Sequence, residues 1–191
     1  MSSLQANFDE LIRKIREGRN VGHTGFEPVY YLVFPPSQIL DAKRQTPAWE
    51  ARLRNEGWEV TVFSVSKVIE DLVRNHPAWN IWSLGDKRQP LRWTDTNKAL
   101  SNALSSDQGL ARLFTETLEK IEGNPNGLLF VTDLEGLHPF VRIGAIEAKL
   151  SGRFKVPTIF LYPGVRTGET RLKFLGFYPE DGNYRSVHIG G

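Results

Sequence analysis

Residues 128–133 read LLFVTD, an apolar run that ends on an acid. Two other stretches share its character: VYYLVF at 29–34, closed by Pro35-Pro36, and PTIFLY at 157–162, closed by Pro163-Gly164. None alternates polar with apolar, so each predicts a strand buried on both faces. WEVTVFS at 58–64 does alternate and predicts a strand with one more exposed face. Between the runs the period changes. Leu4, Phe8, Leu11, Ile12 and Ile15 predict a helix over 4–17, stopped by Gly18. Ser37 caps a second helix whose inner face is Ile39, Leu40, Ala48, Trp49 and Leu53. Pro47 splits it in two, and Gly57 ends it. Further helices are expected at 65–75, 96–104, 108–121 and 139–150, with short strands at 172–177 and 184–189. Residues 76–94 hold Trp79, Trp82 and Trp93 with two prolines and no period, and read as an irregular insertion. Strands alternating with helices predict an α/β fold. Its mostly parallel sheet is flanked by helices, a Rossmann-like or degenerate P-loop-like three-layer sandwich. One domain over 1–191 suffices for this length.

Composition narrows the chemistry. Of 191 residues, 40% are hydrophobic and 24% charged, as in ordinary globular proteins. The absence of cysteine excludes disulfides, thiolate metal sites and a thiol nucleophile, and four histidines argue against an all-His metal centre. Apolar runs fall short of the ~20 residues of a membrane span. Met1–Glu17 lacks a signal-peptide core, so a cytoplasmic protein is expected. The net charge is +2, and from Arg142 onward eight Lys/Arg face four Asp/Glu. A surplus of that size usually marks only a solvated surface.

Ligands of open α/β sheets bind at the carboxyl ends of the strands. After VYYLVF come PPSQILDAK, with no glycine and no GK[ST]. Proline has no N–H to offer a phosphate, so a triphosphate loop is not encoded there. After LLFVTD come Leu134, Glu135 and Gly136, which make Asp133 and Glu135 weak candidates for a metal or a water. The plainer alternative is that Asp133 hydrogen-bonds the next turn. His138 could join the two acids or bond its own turn. His23 and His76 sit in loops without an activating neighbour. No H-E-x-x-H or G-x-S-x-G occurs, no acid/base set assembles, and no cofactor is expected.

The aromatic and basic residues point elsewhere. Trp49 and Trp58 flank a helix–strand junction and belong to the core. Trp79, Trp82 and Trp93 stand among Lys87, Arg88 and Arg92, a mixture that suits a protein interface or stacked bases, or simply pins a long loop. Near the C-terminus Arg166, Arg171, Lys173, Tyr178 and Arg185 sit in turn-rich text that follows a buried strand, where function tends to concentrate.

Two stretches, LLFVTDLEGLHPF at 128–140 and PTIFLYPGVRTGETRLKFLGFYPEDGNYRSVHI at 157–189, carry a family resemblance. The chain resembles the small BrxB-type component of bacteriophage-exclusion (BREX) defence systems, by motif over about 128–189 and by pattern before that. The resemblance implies a cytoplasmic anti-phage protein without enzymatic activity. It implies a structural or adaptor role toward a PglZ-type protein with an alkaline-phosphatase-like domain, with a large ATPase and a methyltransferase as further candidate partners. It supplies no functional residues. The residues alone leave two alternatives: a DNA-binding accessory using the basic C-terminal loops, and a degenerate nucleotide-binding fold retaining Asp133 and Glu135.

Overall fold

A computed structural model describes residues 3–21, 27–168, 171–182 and 186–191. The chain opens with α1 (Leu4–Val21) and β1 (Val29–Phe34). A 3-10 turn leads into α2 (Ile39–Asn55), β2 (Glu59–Ser64) and α3 (Val65–Arg74). Then come α4 (Trp79–Arg88), α5 (Trp93–Ser105), α6 (Leu110–Ile121) and β3 (Gly127–Thr132). A second 3-10 turn (Leu134–Leu137) and α7 (Ile143–Leu150) precede β4 (Thr158–Arg166). The chain finishes with β5 (Arg171–Phe174), β6 (Asp181–Gly182) and β7 (Val187–Gly190).

The three uniformly apolar runs are the three inner strands. Five strands lie parallel in the order β2-β3-β4-β1-β7. The end of β4 pairs antiparallel with β5, and β5 with β6. Every residue of β1 and β3 is buried, as expected of strands covered on both sides. The two-residue period of a strand sorts the side chains. Tyr30, Leu32, Phe34, Leu128, Phe130, Ile159 and Leu161 meet α1 and α2. Tyr31, Val33, Leu129, Val131, Phe160 and Tyr162 meet α6 and α7 on the opposite face. In the first layer Trp49 stacks on Phe8 with ring centroids 4.7 Å apart, and its indole N–H donates to the Gln5 Oε1 at 3.3 Å. Trp58 is buried beside them. Among the described residues no helix is long and apolar enough to cross a membrane.

Several local expectations shift. Helix α1 continues past Gly18 to Val21. Pro47 lies inside an unbroken α2. Its ring removes one bond to the Lys43 carbonyl, at a cost of about 3 kcal/mol. Ala42 before it and Trp49 and Leu53 after it are buried against one layer, and that burial holds both halves on one axis. Leu40, expected inside, is 65% exposed, and Ala48 is exposed too, because the inner face runs through Ala42, Trp49 and Leu53 instead. Residues 76–94 are not irregular, since α4 spans most of them and α5 begins at Trp93. Helix α7 starts only at Ile143, after a cis peptide bond at His138-Pro139. Strand β5 stops at Phe174 because Leu175 and Gly176 both take positive φ (52° and 75°) and reverse the chain. The terminal strand lies at Val187–Gly190, and residues 184–185 of the expected segment fall outside the described residues.

Candidate functional site

The carboxyl ends of β1, β3 and β4 open into a hollow of about 220 Å³ lined by Phe34, Lys43, Pro47, Asp133, Glu135 and Leu161. Asp133 leaves β3 in the left-handed conformation (φ 58°), which a short polar side chain tolerates. Its Oδ2 accepts hydrogen bonds from the Ser64 hydroxyl (2.7 Å) and the Thr132 hydroxyl (2.9 Å). The Lys43 ammonium reaches down from α2, 2.8 Å from Asp133 Oδ1 and 2.7 Å from Glu135 Oε1. Burial opposes ionisation of Asp133, but the bonds from Lys43, Ser64 and Thr132 outweigh it and hold the carboxyl below its ordinary value. Burial likewise opposes the Lys43 charge, and the two carboxylates more than restore it. The two acids therefore meet on a lysine, at the position a cation shared between them would take. Among the described residues no three His, Asp or Glu side chains are grouped to hold a metal. Asp133 also stands at the N-cap of the next turn, where its carbonyl accepts from the Gly136 N–H at 3.0 Å while its side chain makes no cap bond. One lysine thus stands against two carboxyl groups and ties both side chains in place.

His138 does not join the acids. Its Nδ1 lies 2.6 Å from the Tyr178 hydroxyl, and its ring meets Phe177 and Tyr178 edge-on. Tyr178 is thus tied inward, whereas its stacking partner Phe177 is 61% exposed. The C-terminal arginines are dispersed. Arg166 donates to the Gly168 carbonyl at 3.1 Å, and Arg171 pairs with Glu180 at 3.5 Å. The antiparallel register sets Lys173 opposite Val165 and Arg166 opposite Leu172. Strand alternation then puts Arg171 and Lys173 on one face and Arg166 on the other. Arg185 lies outside the described residues.

The tryptophan segment is brought together. Helices α4 and α5 form a hairpin in which α4 packs on α5, and α5 roots it on α3 and α6. Trp79 and Trp82 are half-buried, and Trp82 stacks on His76 at 4.3 Å. On α5, Leu104, Leu100, Asn97 and Trp93 share one face. Leu104 is buried at the root, and Trp93 is 59% exposed at the far end, so the packing face outruns the body it packs on. The hairpin also exposes Ile81 (72%), Leu84 (48%) and Leu91 (91%). Sequence reasoning missed these three and Lys43. A chain segment with apolar residues on every side of a helix shows no period, and Lys43 meets its acids only across the fold.

A family model described as BREX protein BrxB matches residues 62–189. The match takes in the hairpin, Asp133, Glu135 and the C-terminal ribbon, and leaves α1 and Lys43 outside it. No curated protein and no solved structure matches the chain.

Proposed function

The chain belongs to the BrxB family of BREX defence components, and from that premise we propose that it works as a non-catalytic adaptor in the cytoplasm, docking a PglZ-type protein of the same system through the α4–α5 hairpin. The observation that carries this reading is the hairpin's exposed apolar surface. A soluble protein does not normally display Ile81, Leu84, Leu91 and Trp93 together on one projecting element. In this reading the strand-end hollow is structural, with Lys43 bridging Asp133 and Glu135 and so tying α2 to the end of β3. The large ATPase and the methyltransferase are secondary partners in this reading. Of the described C-terminal arginines, Arg171 has its charge matched by Glu180 and Arg166 spends a donor on the Gly168 carbonyl, which weakens the case for a DNA grip.

Co-elution with the PglZ-type protein on a sizing column tests the reading. The wild type is expected in a joint peak, and a double change of Leu84→Glu and Trp93→Ala is expected to abolish it with the circular dichroism unchanged. Arg171→Ala is expected to leave the peak intact. Separate peaks for the wild type, or a joint peak that survives the double change, overturn the assignment.

A further inference from the structure

Between α4 and α5 runs a groove of about 310 Å³ lined by Ile81, Gly85, Arg88, Arg92, Asp95 and Ala99, among others. Ile81, Gly85 and Arg88 fall on one face of α4, and Arg92, Asp95 and Ala99 on one face of α5. The floor is open at Gly85, where an added Cβ would meet nothing within 4 Å. The rim is basic. Arg92 shares its charge with Asp95 at 3.0 Å, and Arg88 makes no ion pair among the described residues. From Asp86 to Lys98 four basic side chains stand against two acidic ones.

Two helices with an apolar floor and basic walls fit one kind of occupant. We propose that the groove receives an acidic amphipathic helix of a partner protein. Its apolar edge lies on Ile81, Trp82 and Ala99, and its carboxylates meet Arg88 and Arg92, so that the hairpin becomes a three-helix unit. This rests on the adaptor reading and adds the chemistry of what docks. A second copy of the chain fits less well, since a two-fold contact would set Arg88 and Arg92 against their own equivalents. A nucleic acid strand fits less well too, because Asp95 stands in the wall and the floor is apolar.

Fluorescence anisotropy with a labelled peptide tests this. The probe is a helical peptide about five turns long, with leucines at i, i+3, i+4 and i+7 and glutamates flanking them. A second probe carries lysines in place of the glutamates. The glutamate peptide is expected to bind the full chain with a dissociation constant of about 10 μM. The lysine peptide is expected to bind at least about tenfold more weakly. Arg88→Glu with Arg92→Glu inverts that preference. Gly85→Leu fills the floor and removes binding, and leucine's better helix propensity keeps α4 formed. Equal binding of the two peptides, no binding of either, an unchanged preference in the charge-reversed variant, or displacement of the peptide by a DNA duplex overturns the proposal. So does concentration-dependent dimerisation that Gly85→Leu abolishes. Co-elution with the PglZ-type protein is read separately, so a lost peptide and a lost partner are distinguishable failures.

Discussion

Lys43 and His188 show two ways a single buried or half-buried charge is managed. Lys43→Met leaves Asp133 and Glu135 facing each other without a counter-charge. It is expected to destabilise the fold by about 1–3 kcal/mol, and magnesium chloride is expected to recover part of the melting temperature in the variant and none in the wild type. No magnesium response in Lys43→Met would show that the two acids do not converge on a shared cation position. His188 is held neutral. Its Nε2 lies 2.9 Å from the Ser186 hydroxyl, its Nδ1 is buried with no hydrogen-bond partner among the described residues, and the Tyr31 ring meets it edge-on. Burial first, and the Arg166 charge second, lower its pKa from 6.5 to about 4. The unfolded chain therefore binds a proton that the folded chain refuses between those two values. Stability present at neutral pH is lost as pH falls through 6.5 toward 4, by about 3 kcal/mol at most. Urea unfolding at pH 7 and pH 5 measures the loss, and His188→Gln is expected to flatten it. At this scale Asp133 and Glu135 were legible, because an acid after an apolar strand is a local pattern. Lys43, Ser64 and the buried setting of His188 were not, because each depends on residues that only the fold brings near.

The elements divide along the same line. The inner strands β1, β3 and β4 could be read directly, since continuous burial writes itself as continuous apolarity. Helix α2 was read as two because proline's local cost is visible in sequence and the layer that overrides it is not. Helix α4 was not read at all. Trp79 and Trp82 are half-buried, while Ile81 and Leu84 between and after them are exposed, so apolar residues surround the axis and no stripe appears. The same exposure that hid the helix marks it as an interaction element. Gly85 sits within α4 in open surroundings. Gly85→Ala is expected to stabilise α4 by about 0.5–1 kcal/mol. Because α4 rests only on α5 among its main contacts, the gain is expected as slower hydrogen exchange of the α4 amides with little change in overall melting. Equal slowing across the central strands would show that the hairpin opens only with the whole molecule.

Across the whole molecule, the sheet is covered on one side by α1 and α2 and on the other chiefly by helices that follow β2. At the strand ends Lys43 bridges the two acids, and the exposed apolar surface lies on the hairpin. Both the division into layers and the mostly parallel sheet follow from the alternation of strand and helix signals. The strand order does not, because side-chain patterning carries no record of which strand lies beside which. That order has a kinetic consequence. Tyr30 to Val33 of β1 pair on one side with Ile159 to Tyr162 of β4 and on the other with Val187 to Gly190 of β7. Strand β1 is therefore made before both of its sheet neighbours, β4 and β7. Until translation has passed residue 166, β1 has no strand beside it, and one of its edges stays unpaired until residue 190 is made, so closure of long loops must precede its full pairing. An inner strand of the sheet is thus among the last to be fully paired, and a nascent chain is most in need of protection at a strand that ends up wholly buried.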